Sequence, residues 1–436
     1  MTGHLPADRA ILAARLGYGK SFDVIFHGFD LGDRAALLIT LDGFFKDGIL
    51  LRITQFLLSQ VGSTPIEESL RKLQEQGIAY AENELAGRVD DVVMAVLSGQ
   101  AALLVDGLRG ALLIDERTYP ARGPSEPDTE KVVRGPKDGF TETLIANTAL
   151  IRRRLRDPQL RFELMTVGER SQIDVAIAYI EDITDPELVA LVRRRLQRID
   201  VDAIPMATRS IEEFLVPRKR WWNPFPTVRY SERPDVVVPH LLEGHVVVLA
   251  DTSPAAMILP VTFFHHLQHA QEFLDEPVTG AFVRGVRILG FIVAWFAPAL
   301  WLGLVLSKPM LPQGFDVLGP REPGVVPIAL QFVIAELAAS LVWVALIHTP
   351  DTLSTSLGLI GTLLLGQQAI AVGLFSAEAL FYIAAAFIGT FATPSLELAN
   401  AVRVMRFLLL VLTAIGRLPG FVIGALLTVW LMVSTR

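Results

Sequence analysis

The last third of this chain carries the feature that most limits its fold, a series of long apolar stretches. The first, VRILGFIVAWFAPALWLGLVL, runs from Val286 to Leu306. A helix needs about 20 apolar residues to cross the roughly 30 Å hydrocarbon core of a bilayer. The preceding residues are rich in Arg, Asp, Glu and Pro and are typical of soluble α/β structure. We therefore predict an integral membrane protein with a large aqueous N-terminal region.

The composition excludes several classes of function. Apolar residues make up 51% of the chain and charged residues 19%, which is more apolar than an average soluble protein. The chain has no cysteine, so disulfides and thiolate chemistry are excluded. A net charge of −7 argues against nucleic acid as a partner.

Two local patterns predict which side of the membrane the N-terminal region occupies. The first residues, MTGHLPADRAILAARLGYG, lack the long apolar segment of a signal peptide, so we expect this region to stay untranslocated. Arg284 and Arg287 lie at the start of the first apolar stretch, and positive residues mark the cytoplasmic side of a span. We predict a cytosolic N-terminal region and interpret these two arginines as part of a gating linker, residues 277–287.

Two similar stretches in the N-terminal region predict an internal duplication. The string DDVVMAVLSGQAALLVDG reads as a helix, a turn at Gly99 and a strand followed by Asp106. The string PDVVVPHLLEGHVVVLADTS reads the same way, with Gly244 in the turn and Asp251 after the strand. The alternative is that any two α/β segments share this pattern.

A strand, an acidic turn and a helix precede each of these stretches, within Ala35–Leu58 and Asp174–Asp200. In the second, Asp185 and Pro186 are typical of an N-cap and a first helical residue. The strands are continuous apolar runs, which predicts sheets covered on both faces.

The predicted fold is therefore a cytosolic α/β region of two similar subdomains followed by an α-helical multipass membrane domain. We place the first subdomain at residues 1–140, the second at 141–280 and the membrane domain at 281–436. A basic helix within Glu142–Arg161 connects the subdomains, and residues 119–139 are expected to form a loop because they are rich in Pro and Gly.

The apolar stretches predict four or five membrane crossings. The predicted spans are Val286–Leu306, broken by Pro298, then Val326–Ile347, Val372–Ala392 and Phe407–Val433. Between the second and third, Leu357–Ala371 is short and rich in Gly and Gln, so we expect a re-entrant or half-helix that is shielded from lipid.

Several polar residues within and between these spans are our candidate functional residues. They are Gln331, Glu336, Gln367, Gln368, Glu378 and Arg417. A carboxylate at the depth of Glu336 costs at least about 2.5 kcal/mol on insertion scales, so it normally faces a bundle interior or a water-filled path. Two interpretations stay open: these residues line a path for ions, or they hold helices together as buried pairs.

Enzymatic activity is not indicated, and we predict no catalytic, cofactor or metal site. The chain has no P-loop motif. His265, His266 and His269 form an HHxxH pattern that could hold a metal, but no acidic partner follows at the spacing of a zinc protease. We prefer an interfacial amphipathic helix there.

The string PRKRWWNPFP, with Trp221, Trp222 and Phe225, is either a membrane-surface anchor or a proline-rich loop packed on the sheet. We prefer the loop.

Long ordered strings in the chain resemble the GerA family, the A-subunits of bacterial spore germinant receptors. GERSQIDVAIAYIEDITDPELVALVRRRLQRIDVDAI (Gly168–Ile204) and NPFPTVRYSERPDVVVPHLLEGHVVVLADTSPAAMILPVTF (Asn223–Phe263) carry the resemblance in the α/β region. In the membrane region, Gln331–Phe375 and Ala385–Gly424 are similar to a sporulation-specific subgroup of this family. The resemblance covers nearly the whole chain, although Arg417 is an unusual insertion.

The resemblance implies a multipass protein of the spore inner membrane that acts during germination. It further implies a subunit of an oligomeric cation channel that contacts lipid, ions and other spore membrane proteins. The alternative function is a non-conducting scaffold for another germination complex, such as the SpoVA channel.

Overall fold

The structure, a computed structural model, describes residues 1–44, 82–115, 132, 135–216, 222–310, 319–322, 324–348 and 367–435. The chain divides into two compact units. The α/β unit consists of residues 1–218 and 230–260, and the helical unit of residues 219–229 and 261–436. The α/β unit contains both predicted repeats, and the helical unit contains the predicted spans.

The elements of the α/β unit follow in chain order. They are α1 (Leu5–Leu16), β1 (Val24–Leu31), β2 (Arg34–Leu41), β3 (Glu82–Ala86), α2 (Val89–Leu97), β4 (Ala101–Val105), β5 (Ala111–Asp115), α3 (Leu144–Arg154), β6 (Leu160–Val167), β7 (Ile173–Ile180), α4 (Pro186–Gln197), α5 (Ala207–Leu215), β8 (Arg229–Ser231), α6 (Pro234–Leu242), β9 (Val246–Ala250) and β10 (Ala256–Leu259).

The strands form two five-stranded sheets with the same topology. The strand orders are β1-β2-β4-β5-β3 and β6-β7-β9-β10-β8, which are one order when the strands of each sheet are counted from its own first. Each copy has a helix, a left-handed glycine and a central strand where the sequence predicted them, with φ +92° at Gly99 and +87° at Gly244. The shared topology therefore agrees with the predicted duplication.

The two copies also repeat their polar contacts. Asp106, directly after β4, accepts a 2.9 Å hydrogen bond from the backbone N–H of Leu5, the first residue of α1. Asp251, directly after β9, accepts a 3.0 Å bond from the N–H of Leu144, the first residue of α3. These carboxylates satisfy N–H groups that a helix leaves open at its start. Two unrelated α/β segments would not share this detail.

The central strands are buried on both faces, as the apolar runs predicted. In β2, Leu37 and Ile39 belong to one hydrophobic cluster with α1 and α2, while Ala36 and Leu38 belong to a second on the opposite face. Successive strand residues point to opposite faces, so a continuous apolar run fills both. The pairings with a defined register are all antiparallel.

A buried ion pair joins the two copies. Arg152 on α3 donates from Nε and Nη2 to the Oδ2 atom of Asp23 at 3.0 and 2.9 Å, and the two side chains are 1% and 3% exposed. Asp23 precedes β1 of the first sheet, whereas Arg152 precedes β6 of the second. The predicted N-cap of α4 is also present, because Asp185 accepts from the N–H of Glu187 at 2.9 Å.

The helical unit is built from long apolar helices. Its elements are α7 (Phe263–Leu267), α8 (Gln271–Leu274), α9 (Pro277–Leu306), α10 (Ile328–His348), α11 (Ala377–Phe391) and α12 (Leu396–Val433). By length and composition, and over the described residues only, α9, α10 and α12 could cross a membrane, while α11 has 15 residues. These findings establish an apolar helical region but not the predicted four or five crossings.

Two predicted spans differ from the helices observed. Helix α9 continues through Pro298, so the prediction that this residue breaks the first span is wrong. The third helix starts at Ala377 and not at Val372, because Ser376 accepts from the N–H of Ala379 and caps it. The predicted half-helix at 357–371 lies outside the described residues up to 366, and residues 367–371 are helical.

Helix α12 is a hairpin of two arms. Arg417 interrupts it with φ 54° and ψ −140°, a conformation outside the helical region. A Cβ atom at Gly420 would collide with the Leu412 carbonyl oxygen, and one at Gly424 would lie 2.6 Å from Leu409. Residues so far apart can touch only if the chain reverses, so residues 396–416 and 418–433 run antiparallel. Gly420 and Gly424 permit this close packing because they have no side chain.

Hydrogen bonds identify which helix ends lie together. At one end, the Leu418 N–H donates to Ser307 Oγ at 3.0 Å, so the α12 reversal lies beside the end of α9. At the other end, His266 bonds Ser395 at 2.8 Å, and Asn223 donates to the Leu431 carbonyl at 3.3 Å. We call these the Ser307 end and the Ser395 end.

Candidate functional site in the helical unit

The centre of the helical unit is a buried ion pair between Glu336 on α10 and Arg406 on α12. Arg406 Nη2 lies 2.7 Å from Glu336 Oε1, and Arg406 Nε lies 2.9 Å from Oε2. Each side chain is 1% exposed. The contact is bidentate, the strongest geometry for a guanidinium and a carboxylate.

The remaining donor of Arg406 binds two more helices. Its Nη1 atom donates to the Ala294 carbonyl at 2.9 Å and to Thr390 Oγ1 at 3.0 Å. Ala294 lies four residues before Pro298, and a proline has no N–H to bond the carbonyl four residues earlier. The proline therefore frees on α9 the acceptor that Arg406 uses. One guanidinium connects α9, α10, α11 and α12.

This geometry favours one of the two interpretations that the sequence left open for Glu336. Both carboxylate oxygens are occupied, and breaking a buried pair by removing one partner costs about 3–5 kcal/mol. A carboxylate held in this way joins helices, and the guanidinium of Arg406 neutralises its charge. Sequence reasoning did not include Arg406 among the site residues, because a charge near the end of an apolar run is typical of a membrane boundary.

Gln331 is also a packing residue in this structure. Its Oε1 atom accepts from the Ser376 N–H at 2.9 Å and from Ser376 Oγ at 3.0 Å, and its Nε2 atom donates to the Val326 carbonyl at 2.6 Å. These bonds join the starts of α10 and α11 at the Ser307 end. Gln331 is 1% exposed, and its amide is satisfied without water.

The other candidate residues lie outside this core. Gln367, Gln368 and Arg417 are exposed, and Glu378 is half-buried. Glu378 Oε1 accepts from the backbone N–H of Arg321 at 3.1 Å. The structure thus brings Glu336 together with Arg406 and Gln331 with Ser376, and it leaves Gln367, Gln368 and Arg417 on the surface of the unit.

The predicted gating linker is helical, since residues 277–287 form the first turns of α9. Arg284 Nε lies 3.0 Å from Glu272 Oε2, and Arg287 contacts the other carboxylate oxygen. Glu272 on α8 is 4% exposed. Both arginines therefore clamp the short α8 helix against α9, and this clamp was not evident from the sequence.

The three histidines of the HHxxH pattern have separate partners. His265 Nδ1 accepts from the Thr262 N–H at 3.0 Å in a capping box. His266 is buried and bonds Ser395, whereas His269 Nδ1 accepts from the backbone two residues further on. Helix α7 has only five residues, so the pattern does not form the amphipathic helix that we preferred. These histidines instead organise the turn before α8.

The aromatic stretch before β8 belongs to the helical unit. Phe225 is buried with its ring centroid 5.6 Å from that of Trp295 on α9, and Asn223 Nδ2 lies 2.7 Å from Thr435 Oγ1. The prediction of a loop packed on the sheet is wrong for Asn223 and Phe225, while residues 217–221 of this stretch lie outside the described residues. Aromatic stacking inside the bundle, which only the tertiary fold provides, decides their position.

The α/β unit has a network of charges on β6 and β7 and the turns next to them. Glu181 receives Lys20 from the first copy and Arg161 Nη2 from the second, the latter at 2.7 Å. The hydrogen bond from Lys20 and the nearby Arg161 hold the pKa of Glu181 below its usual value, although burial opposes this. Burial and the neighbouring Glu163 raise the pKa of Tyr179. The groups are mutually paired, as in a structural network.

Comparison with known proteins relates this architecture to one family. Residues 11–436 match the family described as Bacillus/Clostridium GerA spore germination protein. The chain is 42% identical over 422 residues to stage V sporulation protein AF of Bacillus subtilis (strain 168), covering 97% of this chain and 85% of that protein. It is 32% identical over 351 residues to spore germination protein GerLA of Bacillus cereus, covering 80% and 71%. These matches confirm the resemblance seen in the sequence.

Among solved structures, the chain is similar to the N-terminal domain of the A subunit of the Bacillus megaterium spore germinant receptor GerK3. The TM-score is 0.46 at 26% sequence identity, over 60% of this chain and 97% of that chain.

Proposed function

The chain belongs to the GerA family of spore germination proteins, and from this premise we propose that it is a non-catalytic subunit of an oligomeric cation channel in the spore inner membrane. The N-terminal α/β unit is cytosolic in this proposal. The observations that support it are the match of residues 11–436 to the GerA family and the exposed Gln367 and Gln368, while the closed Glu336–Arg406 pair bears on where the path lies. Because the centre of one chain is tied shut, a path for ions forms between the helical units of several copies.

The exposed polar residues are the ones available to such a path. Gln367, Gln368 and Arg417 lie on the surface of the helical unit, where a neighbouring copy can be reached. Polar side chains in a membrane region are costly unless they face a partner or water. We assign Glu336 and Gln331 to the packing of each subunit, and Gln367 and Gln368 to the path.

The second candidate is a non-conducting scaffold that holds another germination complex in the membrane. The same closed pair favours it, because a buried ion pair whose two charges neutralise each other within one chain does not require a path for ions. The two candidates differ in one respect that can be measured: only the first moves ions in the absence of other proteins.

Potassium efflux from liposomes that contain the purified full chain distinguishes them. We expect efflux from the wild type and a loss of efflux in Gln367→Leu/Gln368→Leu with unchanged oligomer size. Absence of efflux from correctly inserted wild-type oligomers would reject the channel and favour the scaffold.

A charge exchange tests the role given to Glu336. Glu336→Gln should lower efflux only because it loosens the subunit, whereas Glu336→Arg/Arg406→Glu keeps an ion pair and should recover part of the efflux. If the variant with the exchanged pair is stable but shows no potassium efflux, Glu336 contacts the ion directly and our assignment is wrong.

A further inference from the structure

The charge of Arg403 has no ion-pair partner among the described residues of the helical unit. Glu336 and Arg406 neutralise each other, but Arg403 lies one helical turn before Arg406 on the same arm of α12. Among the residues that the structure describes, no carboxylate pairs with Arg403. Uncompensated charge in a membrane segment is costly and marks a functional site by default.

The bonds that Arg403 makes leave most of its donors unused. Nη1 donates to Asn400 Oδ1 at 3.3 Å, and Nη2 donates to the Ser340 carbonyl at 3.5 Å. Both distances are long for hydrogen bonds of this type. A guanidinium has five N–H donors, so several remain for a further acceptor.

An aromatic surface surrounds the guanidinium. Its central carbon lies 5.0 Å from the Trp343 ring centroid, and the Trp343 ring contacts that of Phe391 at 4.9 Å. Phe391 is 51% exposed, and Asn400 is exposed beside it. The guanidinium of Arg403 therefore lies at the outside of the bundle, between the aromatic rings of Trp343 and Phe391 and the side chain of Asn400.

This site lies close to the membrane boundary. Arg403 is seven residues from the start of α12, which is about 10 Å along a helix. Phe391 is the last residue of α11, and Trp343 is five residues from the end of α10. All lie towards the Ser395 end. Long basic side chains at such depths extend towards the headgroups, and aromatic residues concentrate at the same level.

We propose that Arg403, Trp343 and Asn400 form a binding site for the phosphate of an anionic phospholipid headgroup. The charge fits, because the site carries a surplus positive charge and the headgroup a negative one. The side of the membrane fits as well. Helix α9 begins at the Ser395 end, which places this end on the cytoplasmic side if the preceding region is cytosolic, and the cytoplasmic leaflet carries the negative surface charge. This last step rests on the proposed cytosolic location of the α/β unit.

Native mass spectrometry of the full chain, released from nanodiscs that contain phosphatidylcholine and phosphatidylglycerol, tests the site. We expect retained phosphatidylglycerol on the wild type and about a fivefold weaker retention in Arg403→Gln, because one basic residue near an anionic surface contributes about 1 kcal/mol. Arg417→Gln is the matched control: it removes the same charge from the same helix at the Ser307 end, but Arg417 has no ring contact among the described residues, so retention should fall less than in Arg403→Gln.

Two further arms separate the sources of the anion. Arg403→Lys keeps the charge but not the planar contact, and should retain lipid at an intermediate level even if Arg403→Gln folds poorly. Inorganic phosphate added to phosphatidylcholine nanodiscs should not stabilise the protein against heat.

Equal lipid retention by wild type and Arg403→Gln, or equal stabilisation by inorganic phosphate, would overturn the proposal. So would oligomers that dissociate on Arg403→Gln with no dependence on lipid, since the partner would then be a second copy. Lipid retention is independent of ion efflux, so failure of the proposed channel would leave this result intact.

Discussion

In each unit of this protein an arginine–carboxylate pair is almost fully buried, and the two pairs are held in different ways. Arg152 and Asp23 lie between the two copies of a repeated fold, and Arg152 also donates to the Asp157 and Leu160 carbonyls at 3.0 and 3.2 Å. Arg406 and Glu336 lie among four helices, and Arg406 takes a carbonyl that Pro298 has freed. Both pairs join a guanidinium to a carboxylate, but the further hydrogen bonds of the two arginines differ.

This difference predicts how the stability of each unit responds when one partner of its ion pair is removed. Asp23 also accepts a hydrogen bond from Ser21 Oγ, so it keeps a donor when Arg152 is removed. Among the residues that the structure describes, only Arg406 donates to the two oxygens of Glu336, and no water replaces the arginine in hydrocarbon. The helical unit should therefore be the more sensitive of the two to loss of one partner.

The largest expected effect is that of Arg406→Met, which leaves the Glu336 carboxylate buried and unpaired. We expect the free energy of unfolding of the helical unit to fall by about 3–5 kcal/mol. Unfolding of the full chain by dodecyl sulfate in mixed micelles, followed by circular dichroism, measures it. The double variant Glu336→Leu/Arg406→Met removes both charges and should recover much of the loss. A single variant as stable as the double would contradict this account.

In the α/β unit, Asp23→Asn should cost about 3 kcal/mol, the lower end of the range for a broken buried pair. Arg152 keeps its carbonyl acceptors and the Phe162 ring, 5.1 Å from its guanidinium carbon. Hydrogen exchange of the β6 amides in the full chain reports the change. Asp138→Asn is the control, because its pair with Arg154 is half-exposed and should be worth under about 1 kcal/mol. Equal exchange in both variants would reject the comparison.

Relief of backbone strain at the α12 reversal should raise the free energy of unfolding of the helical unit, whereas the preceding variants lower stability. Arg417 has φ 54° and ψ −140°, and residues other than glycine held in such conformations cost about 1–3 kcal/mol. Arg417→Gly should raise the stability of the helical unit in the same micelle assay by about 1 kcal/mol. Arg417→Ala removes the charge and keeps the strain, so it should show no gain.

The α/β unit has a comparable position at which its two copies differ. Thr252 has φ 65° where the first copy has Gly107 with φ +86°. Thr252→Gly should stabilise the unit by about 0.5 kcal/mol, since the gain in fit is partly offset by the entropy of glycine. The reverse change, Gly107→Thr, should cost about 1–2 kcal/mol. Thermal unfolding of the full chain checks both, and a destabilised Thr252→Gly would show that its threonine makes contacts worth more than the strain.

The smallest effect is a pH dependence at the contact between the copies. A carboxylate with a lowered pKa stabilises the folded state above its unfolded value, 4.5 for glutamate, and this contribution is lost as the pH falls through the folded pKa. Wild type should therefore lose stability below about pH 4.5 more steeply than Glu181→Gln. Parallel pH curves for the two proteins would show that Lys20 and Arg161 do not favour the charged form.

Much of the architecture was predictable from local sequence. The repeat was visible because each copy carries the same helix, glycine turn and apolar strand, and Asp185 with Pro186 marked a helix start. Glu336 was conspicuous because a carboxylate in an apolar run is rare. Arg406, 70 residues further along the chain, was not, since its role depends on how α12 lies against α10.

The sequence by itself determined the division into an α/β region and an apolar helical region, the duplication and the list of unusual polar residues. These follow from hydropathy and short-range spacing, which are properties of neighbouring residues. Only the tertiary structure decided that Glu336 is paired, that Pro298 frees a carbonyl without breaking its helix, and that Arg403 is left with surplus charge. Those outcomes depend on contacts between side chains that are far apart in the sequence. In a low-dielectric core, electrostatic interactions are strong, so the partner of a charged group determines whether the group is neutralised or left available to a ligand.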